Sequence, residues 1–198
     1  MERSQLTELH FITPIANLPS MLQDGILSHV RAEQIGHQSV AAAEIQDRRA
    51  GKSVPGGRPL HEYANLYFHA RNPMMARRRD QHADLCVVRV STDVLDLFGV
   101  VVTSQNASSD YAAFRPAADG LPMLQYEQVF AADWRDPDEI AYWRKKSIKC
   151  AEVLVPDRVD PVHITGVYCS GAAGRAAVQA ICDLPVTLDA DLFLQEGS

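Results

Sequence analysis

With 198 residues, a net charge of -6, 46% hydrophobic and 22% charged residues, the chain has the make-up of a globular domain long enough to bury a full core. That acidic balance excludes wholesale coating of a polyanion, so any contact with nucleic acid has to come from a local basic patch. The opening MERSQLTELHFI has charges but no long apolar stretch, and no run approaches the ~18 apolar residues of a membrane span. These features read as a cytoplasmic protein without a signal peptide or membrane anchor. Cys86, Cys150, Cys169 and Cys182 lie far apart, with no C-x-x-C pair and no histidine at ligand spacing. They read as buried free thiols, with no metal site and no disulfide framework.

In chain order, Leu9 to Ile15 is strand-like and ends at Thr13-Pro14, because the residue before proline avoids the helical region. Asn17 stands where it would cap a helix over Leu18 to Asp24, with Pro19 in its first turn and Gly25 as its stop. His10 and Thr13 are three apart, hence on opposite faces of a regular strand. Ala41 to Ala50 favours helix, and Gly51 to Pro59 is a loop rich in glycine, proline and cations. Arg48 and Arg49, at the end of that helix, fit either a solvated terminus or, beside such a loop, a lid over a phosphate-bearing ligand.

Asn65 to His69 is a further strand, Met74 to His82 a helix carrying Arg77 to Arg79 on a solvated face, and Leu85 to Val90 a core strand. Val94 to Phe98 reads as a helical turn and Gly99 to Thr103 as a strand. The longest irregular segment, Ser104 to Asp138, includes Tyr111, Phe114 and Arg115, residue types that stack on bases and contact phosphates. Pro137 to Arg144 is a short helix, Val162 to Cys169 a strand and Ala172 to Leu184 a C-terminal helix. This pattern predicts an α/β or α+β single domain over residues 1–198, and the dinucleotide and P-loop glycine fingerprints are absent.

The stretch KKSIKCAEVLVP concentrates the chemistry. Val153, Leu154 and Val155 form a short run closed by Pro156, the pattern of a buried strand, and Glu152 opens it. Burying a carboxylate is costly unless it is paired. Glu152 therefore either points to solvent and pairs with Lys146 or Lys149, or is held in a site for a purpose.

Three segments, HFITPIANLPSMLQDGILSH, EIQDRR with VPGGRPLHEYANLYFHARNPMM, and KCAEVLVP, occur in one order that resembles the DarT family of DNA ADP-ribosyltransferases, the toxins of toxin–antitoxin pairs. The resemblance runs from about Leu9 to about Cys169. It implies an ADP-ribosyltransferase fold in which a central split β-sheet holds NAD, used as a co-substrate, in a cleft.

The family's first-strand motif, often His-Ile-Thr-His, falls on Phe11, Ile12, Thr13 and Pro14, with His10 one place earlier; Thr13 and Asn17 match directly. Gly25, Leu27 and Ser28 fall on the nicotinamide side, and Gln34 to Val54 on the segment covering NAD. The family's essential arginine falls on Arg49, with Arg48 the alternative, and its catalytic glutamate on Glu152. Ser104 to Lys149 resembles the target-recognition loop, which implies DNA contacts by Tyr111, Phe114, Arg115, Lys145, Lys146 and Lys149. The acceptor implied is a thymine or guanine of single-stranded DNA, and the partner a macrodomain-type antitoxin that removes the modification.

Those residue types suit the reaction. Cleaving the nicotinamide–ribose bond develops positive charge at the anomeric carbon, which a carboxylate can stabilise while it orients the ribose hydroxyl. An arginine binds pyrophosphate bidentately, but with a pKa above about 12 it is a poor general base without help from the site. Two other readings are a transferase of the same fold acting on RNA or protein, and a non-catalytic nucleic-acid-binding module. More phosphate-dedicated arginines would mark an RNA 2'-phosphotransferase; indifference to loss of Glu152 would mark the module.

Overall fold

A computed structural model describes residues 1–39 and 42–195; the first position of the expected helix at Ala41 and the last three residues lie outside the described residues. The chain starts with β1 (Leu9–Pro14), α1 (Leu18–Asp24), the short β2 (Ile26–Leu27), α2 (His29–Ala32) and α3 (Ala43–Ala50). It continues through β3 (Tyr63–Tyr67), α4 (Pro73–Arg77), β4 (Leu85–Val90), β5 (Val101–Thr103) and β6 (Phe114–Pro116). Then come α5 (Ala117–Gly120), α6 (Tyr126–Val129), α7 (Glu139–Ile148), β7 (Glu152–Pro156), β8 (Arg158–Val159), β9 (Ile164–Cys169), α8 (Ala172–Gln179) and β10 (Val186–Leu188).

Eight strands form one mixed sheet in the order β10-β9-β4-β1-β3-β7-β5-β6, and β2 pairs with β8 beside it. β1 runs antiparallel to β4 along its whole length, from Leu9 opposite Val90 to Pro14 opposite Leu85. β3 does the same with β7, from Tyr63 opposite Pro156 to Tyr67 opposite Glu152. Between those two halves β1 and β3 meet only where His10 lies opposite Tyr67. The sheet is split there, and the split leaves backbone and side chains to face a cleft instead of a neighbouring strand.

The next strands outward from the split, β4 beside β1 and β7 beside β3, are continuously apolar. Leu85, Cys86, Val87, Val88 and Val90 of β4 and Val153, Leu154 and Val155 of β7 are all buried, as a strand covered on both faces requires. Each such side chain contributes roughly 1.5–3 kcal/mol of transfer free energy. α1 ends at Gly25, whose φ of +87° and close approach to the Val159 carbonyl leave no room for a Cβ. That contact lets β2 pair with β8 and closes one wall of the cleft.

Several local expectations change. Asn17 precedes α1 but makes no side-chain cap, because its amide is engaged elsewhere. The expected helix over Met74 to His82 breaks into α4, capped by Asn72 accepting from the Met74 and Met75 N–H groups, and a 3-10 turn at Arg79–Gln81. The segment read as irregular, Ser104 to Asp138, contains β6, α5, α6 and a 3-10 turn at Leu121–Met123. These pieces, like β8 and β10, are two to four residues long, too short to show a period. Among the described residues no helix is long and apolar enough to cross a membrane, and no group of three or more His, Cys, Asp or Glu side chains could hold a metal ion. All four cysteines are free thiols.

Candidate active site

Glu152 is 1% exposed and sits where β7 opens at the split. Its two carboxylate oxygens are used differently. Oε2 accepts from Arg49 Nη1 at 2.8 Å, while Oε1 accepts from the Ala107 N–H at 2.9 Å. The Glu152 backbone N–H donates to Thr103 Oγ1 at 2.9 Å, and that hydroxyl donates to the Gln105 carbonyl at 2.7 Å. The carboxylate thus fixes both the end of α3 and the segment after β5. Charge-assisted bonds of this kind are the ones that make a buried carboxylate tolerable.

Arg49 is 6% exposed although it occupies the last turn of a helix whose other residues are at least partly solvated. Neighbouring Arg48 stays on the exposed side, its Nε donating to the Glu44 carbonyl at 3.3 Å. Two further side chains tie the covering segments down. Lys52 Nζ donates to the Ser108 carbonyl and to Asp110 Oδ1, both at 2.7 Å. The Asn17 side-chain amide grips the Gln38 backbone twice: its Nδ2 donates to the Gln38 carbonyl at 2.8 Å and its Oδ1 accepts the Gln38 N–H at 3.0 Å. The same Nδ2 donates to Thr13 Oγ1 at 3.1 Å, so β1, the turn after it and the residues before α3 form one wall.

The space between these walls measures about 1380 Å³, above the ~300–1,000 Å³ usual for a small-molecule site. Phe11, Ile12, Thr13, Asn17, Gly25 and Leu27 line one side, and Arg48, Arg49, Tyr67 and Glu152 the other. Tyr67 has its pKa raised well above the phenolic value by burial and by the Glu152 charge, so it stays a neutral hydroxyl. His61 is held below its ordinary value by burial and by the charges of His29 and Arg49. His61 Nε2 and Gln46 Oε1, both in the cleft wall, are buried with no hydrogen-bond partner among the described residues. An orphaned buried polar atom costs about 1–3 kcal/mol. Unmet polar atoms, a buried guanidinium and a cavity of this size fit a large polar ligand with phosphate and amide groups, and NAD has that make-up.

The comparisons with known proteins decide the family. Residues 10–190 match the family model described as "DarT: ssDNA thymidine ADP-ribosyltransferase, DarT". The chain belongs to the DarT family. A DNA ADP-ribosyl transferase–DNA ADP-ribosyl glycohydrolase fusion protein of Thermosipho africanus is 32% identical over 175 residues, 82% of this chain and 42% of that protein. A DNA ADP-ribosyl transferase of Thermus sp. strain 2.9 is 32% identical over 161 residues, 75% of this chain and 74% of that protein. The solved Thermosipho africanus DarTG in complex with ADP-ribose superposes with a TM-score of 0.82 at 30% identity, covering 96% of this chain and 52% of that one. Thermus sp. 2.9 DarT in complex with ADP-ribosylated ssDNA superposes with a TM-score of 0.79 at 23% identity, covering 95% and 96%. The chain therefore spans less than half of the fusion relative and about half of the solved Thermosipho africanus DarTG chain, while it covers 96% of the Thermus structure. Its sheet is the split ADP-ribosyltransferase sheet that the resemblance implied.

The sequence-derived site residues do not all meet in the DarT cleft. His10 does not line it: Nε2 pairs with Glu8 Oε1 at 3.0 Å and Nδ1 accepts the Ala70 N–H at 3.0 Å, so both ring nitrogens are engaged behind the split. Ser28 is buried and gives its N–H to the Asp157 carbonyl. Lys149 requires the largest correction. It is 1% exposed, and its ammonium donates inward to the Val129 carbonyl at 2.9 Å and meets His69 Nδ1 at 3.3 Å, so no phosphate can reach it. Burial lowers its pKa to about 8, and burial together with the Lys149, His10 and Arg71 charges lowers that of His69 to about 3.

Of the other DNA residues, Tyr111 and Lys146 lie on the cleft rim. Lys145 pairs with Asp136 Oδ2 at 2.7 Å and does not face the cleft. Phe114 and Arg115 are in the outermost strand, where Phe114 packs toward Leu60, Tyr63 and Leu154, and Arg115 turns back to the Phe114 carbonyl. Sequence reasoning missed Gln46, His61, Trp143 and Arg144 in the cleft. The last two had a readable signal: Ile140, Trp143, Arg144 and Ser147 follow the spacing of one helix face.

Proposed function

We propose that the chain is an NAD-dependent transferase that moves ADP-ribose from NAD to a thymidine base of single-stranded DNA and releases nicotinamide, as the toxin of a toxin–antitoxin pair. The observation that carries this reading is the buried Glu152–Arg49 pair at the split, with the carboxylate also holding the start of the recognition loop at Ala107. NAD supplies the ADP-ribosyl group through its labile nicotinamide–ribose bond. Glu152 orients the ribose hydroxyl and stabilises the positive charge that develops as that bond opens. Only a carboxylate does both.

Arg49 binds the pyrophosphate and keeps the acceptor base in line, with its fork already fixed by Glu152. Thr13 and Asn17 hold the covering segment through Gln38, while Phe11, Ile12, Gly25 and Leu27 give the cofactor an apolar bed. Tyr111 and Lys146 contact DNA at the rim. Thymidine is favoured by the family's description, and single strands by the chemistry, because an unpaired base reaches the cleft without being flipped from a stack. The partner is a macrodomain-type antitoxin that removes the mark, a reading supported by a relative that joins transferase and glycohydrolase in one chain. The reaction takes place in the cytoplasm, where NAD and DNA meet.

The test offers the protein NAD labelled in its adenylate phosphate together with thymidine-containing single-stranded DNA, the same sequence as duplex, RNA and a protein extract. Label should enter the single strand and far less of the duplex. Label in RNA or protein, with none in DNA, would replace DNA as the acceptor.

A further inference from the structure

Helix α7 is anomalous for its composition. None of its residues is buried, yet it carries Ile140 at 80% and Trp143 at 54% exposure, both on the cleft rim with Arg144, Lys146 and Ser147. The helix is nevertheless well anchored. Asp138 caps it by accepting the Ala141 N–H, and the Ser147 carbonyl takes the Asn106 N–H at 3.0 Å, next to the Ala107 that binds Glu152. Its position relative to the carboxylate is therefore fixed by backbone, and its large apolar side chains are displayed by construction.

The indole is oriented as well. Trp143 Nε1 donates to Glu139 Oε1 at 3.4 Å, Tyr142 meets it edge-on with centroids 5.3 Å apart, and Lys146 Nζ lies 4.5 Å from its ring centroid. Half the indole remains open, with the Lys146 cation over its ring. Arg144 adds a second positive group; Lys145 is taken by Asp136, and Glu139 is occupied with the indole. A half-exposed aromatic ring with one cation over it and a second on the next residue of the cleft rim suits a flat ring carrying a phosphate. Base–aromatic stacking is sequence-tolerant and combines with just such backbone contacts.

We infer that Trp143 is a stacking platform for a nucleobase next to the modified one, with Lys146 and Arg144 on the flanking phosphates, so that α7 sets the position of the single strand over Glu152. This rests on the proposed function and deepens it: it makes Trp143 a positioning residue for the strand, outside the chemistry itself. The occupant is single-stranded DNA. An adenine of NAD is the competing occupant, and the experiment separates the two.

With Trp134 replaced by Phe, Trp143 is the sole tryptophan. Its fluorescence is titrated, without NAD, with a thymine-free single-stranded oligonucleotide, an abasic strand of equal length, and ADP-ribose. Saturable quenching by the oligonucleotide, little by the abasic strand and little by ADP-ribose is the expected pattern. Equal quenching by the abasic strand, or quenching by ADP-ribose alone, would overturn the inference. In parallel, Trp143→Ala should raise the KM for oligonucleotide about tenfold or more, with kcat and NAD binding nearly unchanged and Trp143→Phe restoring most of the loss. An unchanged KM in a folded Trp143→Ala would also overturn it. If the parent enzyme modifies no DNA at all, the functional reading fails, and the quenching data still decide whether Trp143 stacks on bases.

Discussion

Two clusters of buried and half-buried charge lie on either side of the split in the sheet, and they are built differently. Behind it, Glu8 accepts from His10 Nε2, Arg89 Nε and the Tyr168 hydroxyl, and Lys149 gives its ammonium to a carbonyl and a histidine. Every partner belongs to the sheet or to segments packed on it. In front, Glu152 is bound by Arg49 from α3 and by the Ala107 N–H, both from segments that cover the cleft. A charge whose partners all stand on the sheet or on segments packed against it fixes the fold. One whose partners come from covering segments over an open cleft is placed for a ligand, and the contrast assigns structural work to Glu8 and Lys149 and chemistry to Glu152.

Breaking the front cluster should produce the largest effect. Glu152→Gln keeps an oxygen for the Ala107 N–H but loses the negative charge, so transfer should fall by about 10²–10³-fold or more, the scale of losing one preorganised electrostatic group. NAD affinity, followed by calorimetry, should change far less. Next in size is Arg49→Lys, which keeps the charge and loses the planar fork; we expect transfer to drop by about 10–100-fold, against less than about threefold for the exposed Arg48→Lys, in kcat/KM at matched DNA.

The rear cluster should respond in stability and not in turnover. Burial pushes the Glu8 carboxyl up, but hydrogen bonds from His10, Arg89 and Tyr168 outweigh it and bring its pKa from 4.5 to about 2. A depressed carboxylate stabilises the folded state above pH 4.5, and that stability is lost as pH falls toward 2. Glu8→Gln should cost about 2–3 kcal/mol at neutral pH and flatten the acid limb of a denaturation series, with kcat unchanged. Lys149 gives a slope of the same sign from a different cause, since here burial disfavours the charged form. Its folded pKa of about 8 lies below the ordinary 10.5, so between those values the unfolded chain holds more protons and stability from this group rises with pH. Chemical denaturation at pH 7 and pH 10 of the parent protein and Lys149→Met should show that rise only in the parent.

Smallest is the salt response. Lys146→Ala should lower the slope of log affinity for single-stranded DNA against log salt by about 0.7, the value for one phosphate contact, while Lys145→Ala, whose cation is held by Asp136, should leave it nearly unchanged.

The division between core and cleft also explains what the sequence could disclose. β4 and β7 were readable because strands buried on both faces are continuous apolar runs, and Glu152 stood out as the acid that opens one of them. Strands of two or three residues such as β6 and β8 have no such signature; pairing with longer neighbours creates them. Arg48 and Arg49 were inseparable, since adjacent helical residues differ by about 100° in direction and only packing decides which one turns inward. Lys149 misled for a related reason. It follows the end of α7, where the chain turns into the core, and a run of lysines in sequence says nothing about that turn. His10 sits on the wrong side of the split because the one β1–β3 pair is at that residue, a feature of long-range pairing.

The account stands or falls on Glu152. A thymidine-containing single-stranded oligonucleotide is incubated with NAD and either the parent protein or Glu152→Gln, and the products are read by mass spectrometry with fragmentation. The parent should add one ADP-ribose per strand, located on a thymine, and Glu152→Gln, folded and still binding NAD, should add none in the same time. Transfer by Glu152→Gln within tenfold of the parent rate would contradict the assignment of the carboxylate, and with it the reading of the split as the catalytic centre.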